Sequence, residues 1–338
     1  MTEFDVVVVG GGAAGLSGAL TLGRSRRSVL VVDEGAPRNA PAAGVHNLLG
    51  RDGIAPADLL AAGRADAACY GVQVVDGVVT AAARDGSGFV LTLADASTVR
   101  ARRLLVTTGL VDDLPEIDGL RTRWGRDVLH CPYCHGWEVR DEPIGVLGTS
   151  PFAVHQALLF RQWSEDVTLF LHTAVTPSDE EWEQLAARGI AVVDGEVVGV
   201  EVEDDTLVGV RLRSGRVVAR RALTVPPRLQ ARSAVLESLG VQPVAHPMGV
   251  GTFVESDPTG LTAAAGVWVA GNVTDLMTQV VGAMAAGVNA GAAINADLIA
   301  EETRAAVAHR AAPFRPDAEA TNCERLLGDR RHGLSPAG

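Results

Sequence analysis

Residues 4–15 read Phe4-Asp5-Val6-Val7-Val8-Val9-Gly10-Gly11-Gly12-Ala13-Ala14-Gly15. Four consecutive valines favour a strand buried on both faces, and the glycine cluster breaks it before a helical pattern that runs from Leu16 to Leu22. A second β-branched strand, Ser28 to Val32, ends at Asp33. Strand, glycine turn, helix, strand and acid in that order predict a dinucleotide-binding unit. Each glycine has its own task. Gly10 makes the tight turn, Gly12 lets the backbone approach a pyrophosphate, and Gly15 brings helix against strand. Asp33 stands where an acidic side chain bonds a ribose hydroxyl.

Working outward, a comparable unit opens later. Ile144 to Leu147 is apolar, Gly148-Thr149-Ser150-Pro151-Phe152-Ala153 is the turn, Val154 to Trp163 is helical and Val167 to Leu171 is a strand. Ser150 and Ala153 replace the second and third glycines, so only the first unit has full phosphate-binding chemistry. Segments Val197 to Val202 and Val208 to Arg213 alternate like hairpin strands. Gly266 to Asn272 reads as a strand ending in a Gly-Asn turn, before a helix of small residues from Val280 to Ala300. The fold class expected is α/β, with two Rossmann-like, three-layer ββα nucleotide-binding domains. Residues 309–338, rich in Arg, Pro and Gly, read as a loosely packed tail.

The 338 residues suit two domains, and 47% hydrophobic with 21% charged residues describes a globular chain. The net charge of −12, without a local Arg cluster, argues against nucleic acid as a partner. All 29 basic residues are Arg, which excludes Schiff-base chemistry, a pyridoxal phosphate anchor and a P-loop lysine. The apolar runs are short, so no membrane span is expected. The acidic start has neither a basic nor an apolar leader region, which points to the cytoplasm.

Of four cysteines, only Cys131 and Cys134 are close, within His130-Cys131-Pro132-Tyr133-Cys134-His135-Gly136. Two intervening residues let the sulfurs close a small disulfide ring and lower one thiol pKa. Several chemistries compete for this pair. A c-type haem site has the right Cys-x-x-Cys-His, but its attachment belongs outside the cytoplasm. Zinc would want a second ligand pair, so no metal site is expected. A glutaredoxin-like motif would open a long helix, whereas Pro143 and a new strand follow closely here. Two inert thiols, or a redox-active disulfide beside a flavin, complete the set. Cys69, among alanines, reads as a small buried hydrophobe.

Across roughly residues 4 to 305 the chain resembles the low-molecular-weight thioredoxin reductase family. The residues that carry the resemblance are Gly10-x-Gly12-x-x-Gly15, Asn47-Leu48-Leu49-Gly50, Leu104-Leu105-Val106-Thr107-Thr108-Gly109, the Cys pair between two nucleotide folds, and Ala270-Gly271-Asn272-Val273-Thr274-Asp275 with Gln279. The resemblance implies FAD held by the terminal portions, 1–111 and 230–308, and an inserted NAD(P)-binding-like domain, 112–229, that carries the cysteines. It places FAD against Gly10, Gly12, Ala13, Ala14 and Gly15, then Asp33, Glu34, Arg38 and Asn47. Thr108, Gly109, Gly271, Asn272, Gln279 and Val280 complete that set. It also implies a homodimer.

The departures are informative. His135 follows the second cysteine, where the family usually has Asp, and Asn272 replaces a usual Asp. Leu171-His172-Thr173-Ala174-Val175-Thr176 contains no Arg, although a 2′-phosphate needs charged donors there. NADPH or NADH binding is therefore doubtful. These departures resemble the dithiol oxidases that close intramolecular disulfides in natural products such as gliotoxin and holomycin. That likeness implies oxidation of a small-molecule dithiol through Cys131 and Cys134, with His135 as base, FAD as carrier and O2 as acceptor. Two other readings remain open: an NAD(P)H-dependent reductase of a thioredoxin-like protein, and a non-catalytic flavin redox sensor.

Overall fold

The computed structural model describes residues 3–174, 176–310 and 316–327. The chain opens with β1 (Glu3–Val9), α1 (Ala13–Arg24), β2 (Val29–Asp33), α2 (Pro56–Ala68) and β3 (Gln73–Asp76). Then follow β4 (Val79–Asp85), β5 (Gly88–Leu93), β6 (Thr98–Val106) and β7 (Leu110–Asp113). The order β3-β2-β1-β6-β5-β4 builds the first sheet. Strand Val267–Val269 pairs in parallel with β6 from Leu104 to Val106, while β5 pairs antiparallel with the start of β6. Val6, Val7 and Val8 are fully buried, as their run of valines required. Both faces of β1 are covered because the residues alternate between two core clusters.

A second, five-stranded parallel sheet takes residues 191–193, 167–170, 144–147, 222–224 and 128–129 in that order. Beside it lies an antiparallel set formed by Val197–Glu203, Thr206–Leu212 and Val217–Ala219. The chain passes between the two sheets twice, through β7 and through Arg228–Ala231, and these crossovers pair antiparallel, Leu110 opposite Ala231. The expected division points, 111/112 and 229/230, fall within these two strands.

The long helix Val280–Arg310 extends ten residues beyond the end expected from its small-residue pattern. It is the one described helix long and apolar enough to cross a membrane by length and composition, a segment the sequence reading did not expect, because Val, Ile, Leu, Met and Ala along it raise its mean hydropathy; a helix packed in a protein core meets the same criterion. Its buried residues Ala283, Gly287, Ala290, Gly291, Ile294 and Leu298 recur at helical spacing and pack on α1. A Cβ on Gly287 would lie 2.0 Å from the Ala14 carbonyl oxygen, so the two backbones meet with no side chain between them. Arg103 ties the same helix to β6, donating from Nε to Asp297 at 2.6 Å and from Nη2 to Glu301 at 2.5 Å.

Three expectations change. The helix after Gly148 spans Ala153–Phe160, ending before Trp163, because the chain turns at Arg161 to lead into the next strand. Cys69 is exposed rather than buried, since it is the residue after the last turn of α2 and faces away from the core. Within the expected tail, Pro316–Leu327 is a helix, whereas 311–315 and 328–338 lie outside the described residues.

Replacement of Gly287 by Ala must separate α1 from the long helix. Overpacking of this kind costs about 1–3 kcal/mol, and here the clash is with backbone that cannot rotate away. Urea unfolding should show a loss at the upper end of that range, together with weaker binding of the dinucleotide expected at the glycine turn, because Ala14 belongs to the first turn of α1.

Candidate active site

The glycine turn is held from two sides. Asp33 accepts from the Gly11 N–H at 2.9 Å and from Arg64 Nη2 at 2.5 Å, and Thr107 Oγ1 donates to the Gly10 carbonyl at 2.8 Å. Gly10 needs its positive φ of 102°, and any Cβ there would come within 2.7 Å of the Thr107 oxygen. α1 begins after Gly12 with no side-chain cap, which leaves its first N–H groups free to face an anion. A Cβ at Gly12 or Gly109 would meet nothing within 4 Å, so the space in front of the turn is open.

That space belongs to a cavity of about 1570 Å³. Usual ligand pockets hold ~300–1,000 Å³, so there is room for a dinucleotide and a second molecule. Gly10, Gly12, Ala13, Ala14, Asp33, Glu34, Arg38, Thr108, Gly109, Gly271, Asn272, Gln279 and Val280 all line it. Gly15 is not on its wall; it sits behind the turn, where a Cβ would lie 2.0 Å from the Gly10 oxygen. Asn272 Nδ2 donates to the carbonyls of Asp275 and Thr278 at 3.0 Å, leaving its Oδ1 as an acceptor. Asn47, at a positive φ of 61°, donates from Nδ2 to the Tyr133 carbonyl at 2.8 Å and to Gln279 at 3.4 Å. Asn47 is itself not on the cavity wall, but its bonds join Gln279, which is, to the cysteine turn.

Two acid–base pairs clamp the crossovers. Arg38 binds Asp112 on β7 through two hydrogen bonds of 2.7 and 2.6 Å, and Glu34 pairs with Arg232, just after the other crossover. Thr108 Oγ1 donates to the Arg232 carbonyl at 2.6 Å.

Cys131, Cys134 and His135 open onto the same cavity. Pro132–His135 makes a single helical turn, which Pro132 can start because its first position needs no N–H. The Cys134 N–H donates to the Cys131 carbonyl at 3.2 Å, folding the two residues toward each other. A hydrogen bond between the thiols pulls Cys131 down to about 7, with backbone N–H groups of Cys134 and Tyr133 and the Arg38 charge assisting. The same contact, with burial, pushes Cys134 up. Burial pulls the His135 imidazole below its ordinary range, partly countered by Glu138 and reinforced by His46. Burial and then Arg38 bring His130 down to about 4, and its Nδ1 has no hydrogen-bond partner.

Sequence reasoning missed three contributors. His46 lies 3.3 Å from Glu138 and 3.5 Å from Asp52, beside the cysteine turn. Glu138 follows His135 by three residues, a spacing that could have drawn attention. His46 is far away in sequence and carried no signal. The cavity face of Ala153–Phe160, formed by His155, Gln156 and Leu159 after Phe152, was also missed. Among the described residues, no cluster of three or more His, Cys, Asp or Glu could hold a metal ion.

A family model described as pyridine nucleotide-disulphide oxidoreductase matches residues 4–287. The thioredoxin reductase tcpT of Claviceps purpurea is 29% identical over 308 residues, 88% of this chain and 95% of that protein. The thioredoxin reductase aclD of Aspergillus oryzae is 31% identical over 80% of this chain and 88% of its own length. The crystal structure of HlmI is 46% identical with a TM-score of 0.86, covering 92% of this chain and 96% of that one. A putative thioredoxin reductase TrxB from Bacillus anthracis is 27% identical with a TM-score of 0.82, over 88% and 99% of the two chains.

In the reduced protein, Cys131 should alkylate first. Its iodoacetamide rate should rise with pH through a midpoint near 7, because the thiolate is the reactive form, and Cys134 should label last. Peptide mass spectrometry of a pH series reads the Cys131 midpoint and the order of labelling.

Proposed function

The chain belongs to the pyridine nucleotide-disulphide oxidoreductase family, an FAD-dependent group of oxidoreductases, and from that premise we propose that it oxidises a small-molecule dithiol to a disulfide through Cys131 and Cys134, with O2 as final electron acceptor. Residues 1–111 and 230–308 would hold FAD, and 112–229 would carry the cysteines. The glycine turn, the α1 N-terminus and the Gly109 and Gly271 loops suit the pyrophosphate and ribityl portions of FAD. FAD held there would supply a two-electron acceptor for the reduced cysteine pair and a route for those electrons to O2, with hydrogen peroxide as the by-product.

The protein's own residues account for the thiol chemistry. In the oxidised enzyme a substrate thiolate attacks Cys131 Sγ; a mixed disulfide forms, the Cys131–Cys134 bond breaks and Cys134 departs as a thiolate. The second substrate thiol loses its proton to His135 and attacks the substrate sulfur of the mixed disulfide. The product disulfide forms and Cys131 is released as a thiolate, which Cys134 stabilises by hydrogen bond once it has taken up a proton, as its raised pKa favours. Burial keeps His135 neutral and therefore able to accept protons.

The observation that carries the direction of electron flow is the second nucleotide turn. Pro151 provides no N–H, and the Thr149 and Ala153 N–H groups donate to the carbonyls of Leu147 and Ser150. Beyond Val167–Phe170, where a 2′-phosphate would need arginine, His172 Nδ1 accepts from the Val197 N–H at 3.0 Å. These features support a dithiol as electron donor over NADPH. The resemblance to gliotoxin- and holomycin-type dithiol oxidases, through His135 above all, supports the same reading. The reverse direction, from NAD(P)H to a thioredoxin-like protein, is favoured by the names of the curated relatives.

Anaerobic stopped-flow mixing separates the two. A small dithiol should bleach the flavin rapidly and NADPH should not; fast bleaching by NADPH with thioredoxin turnover would reverse the assignment. Cys134→Ser should abolish bleaching by dithiols. His135→Asn should lower kcat/KM by about 10²-fold or more. Since the imidazole must be neutral to act and burial lowers its pKa, the wild-type pH profile should carry an acid limb, from protonation of His135, that lies below the ordinary imidazole range. His135→Asn should lose that acid limb.

A further inference from the structure

Between β2 and α2, one loop reaches across to the cysteine turn. Residues 45–54 close it as a short hairpin: the Val45 N–H donates to the Ile54 carbonyl at 2.8 Å, and the Gly53 N–H donates to the Val45 carbonyl at 2.8 Å. The His46 ring lies against backbone that carries no side chain. A Cβ on Gly44 would come within 3.2 Å of its Nε2, and one on Gly53 within 4.0 Å of its Cε1. Asp52 fixes the loop by accepting from the Asn47 N–H at 2.8 Å. The second oxygen of Asp52 lies 3.5 Å from His46 Nδ1, and at the other ring nitrogen Glu138 Oε1 lies 3.3 Å from Nε2. An imidazole with a carboxylate at each nitrogen donates to both only as the imidazolium; the neutral ring leaves one carboxylate facing a lone pair. His46 lines the cavity and Glu138 does not, so this pair runs from the cavity wall outward.

Glu138 is tied to His135 by the shape of the cysteine turn. The Gly136 N–H donates to the Pro132 carbonyl at 2.7 Å, and a Cβ on Gly136 would lie 2.8 Å from the Trp163 ring, so the chain leaves the turn along one fixed path. Glu138 stands three residues after His135 on that path. Besides burial, which weighs most, two charges act on the His135 imidazole: Glu138 favours its protonated form and His46 opposes it. The other titratable groups of the cysteine turn are His130, Cys131 and Cys134. Arg38, whose charge reaches all three, is engaged by Asp112. His46 itself is faced by Asp52, Glu138 and His135.

We propose that His46 and Glu138 are positioning residues for the base: as an ion pair between the 45–54 loop and the cysteine turn, they set the electrostatic field in which His135 accepts the proton of the second substrate thiol. The inference rests on the dithiol-oxidase reading and adds to it the groups that govern its base. The proton lost by the thiol sulfur resides on the His135 ring until water takes it. Glu138 stabilises the imidazolium formed in that step. His46 carries the compensating charge and so keeps the carboxylate from holding His135 protonated before the substrate arrives.

Glu138→Gln and His46→Gln test the pair in the flavin-loaded enzyme, with dithiothreitol as the probe and the second-order rate of anaerobic flavin bleaching followed against pH. Both variants break the same contact, so a merely structural role would displace the two pH profiles alike. The ion pair requires opposite displacements: the acid limb moves to lower pH in Glu138→Gln and to higher pH in His46→Gln. At a pH on the wild-type limb, the rate relative to its plateau should rise about two- to fivefold in Glu138→Gln and fall by a similar factor in His46→Gln, the size of one partly exposed charge. The double variant should lie between them. An unchanged flavin absorbance spectrum verifies that each variant is folded. A limb that stays in place in either single variant, or two limbs that move the same way, would overturn the proposal. NMR titration of the enzyme isotope-labelled in its histidines, with the His135 signal assigned by its loss in His135→Asn, separates the two claims. Opposite displacements of that titration without bleaching by any dithiol would leave the pair standing and remove the oxidase reading. Bleaching by dithiols with an unmoved His135 titration would remove the pair and leave the reading.

Discussion

Everything in this molecule depends on a backbone contact that tolerates no side chain. The start of α1 is wedged between the ends of β1 and β6 and the long helix Val280–Arg310. At Gly15 and Gly287 an added Cβ would lie 2.0 Å from a carbonyl oxygen. Because the helices approach so closely, the free N–H groups at the α1 N-terminus are held at the cavity wall. A wider spacing would leave them pointing into water, where they would offer an anion no geometric advantage.

The contact positions more than one ligand portion. Thr107 and Asp33 pin the glycine turn, and the loop that continues from Asp33 provides Glu34 and Arg38, whose ion pairs clamp both crossovers. The orientation of the second sheet, and with it the place of Cys131 and Cys134, is therefore coupled to the same few residues that shape the dinucleotide cradle. Asn47 completes this coupling through a hydrogen bond to the carbonyl between the two cysteines. Thiol chemistry and flavin chemistry can share one cavity because the crossovers return side by side.

The electrostatics of the site follow from burial combined with a few near charges. His130 and His135 lie on either side of the cysteine pair, and burial keeps both neutral in the range where a thiol must lose its proton. The cysteines share a hydrogen bond that makes one sulfur a good thiolate at the expense of the other. An Asp in place of His135 would add a negative charge beside a forming thiolate; the imidazole accepts a proton without that repulsion.

Local pattern made the first nucleotide unit, its glycine turn and the cysteine motif legible, since each depends on residues within about thirty positions of one another. The sequence alone also showed His135 after the cysteine pair and the absence of arginines after the second unit, and it placed β1, β2 and the strands 144–147 and 167–170 to within a residue or two, but it did not single out β3, β4, β5 or the strands 128–129, 191–193 and 222–224. It misjudged Cys69 and the length of the last long helix, because burial and helix ends depend on neighbours remote in sequence. Only the tertiary structure could join His46 to Glu138, Asn47 to Tyr133 and Arg38 to Asp112, and bring Phe152, His155 and Leu159 to the cavity that the cysteines also line. Those pairings arise from the paired crossovers and from two sheets meeting at one cavity, a long-range geometry that no local spacing encodes.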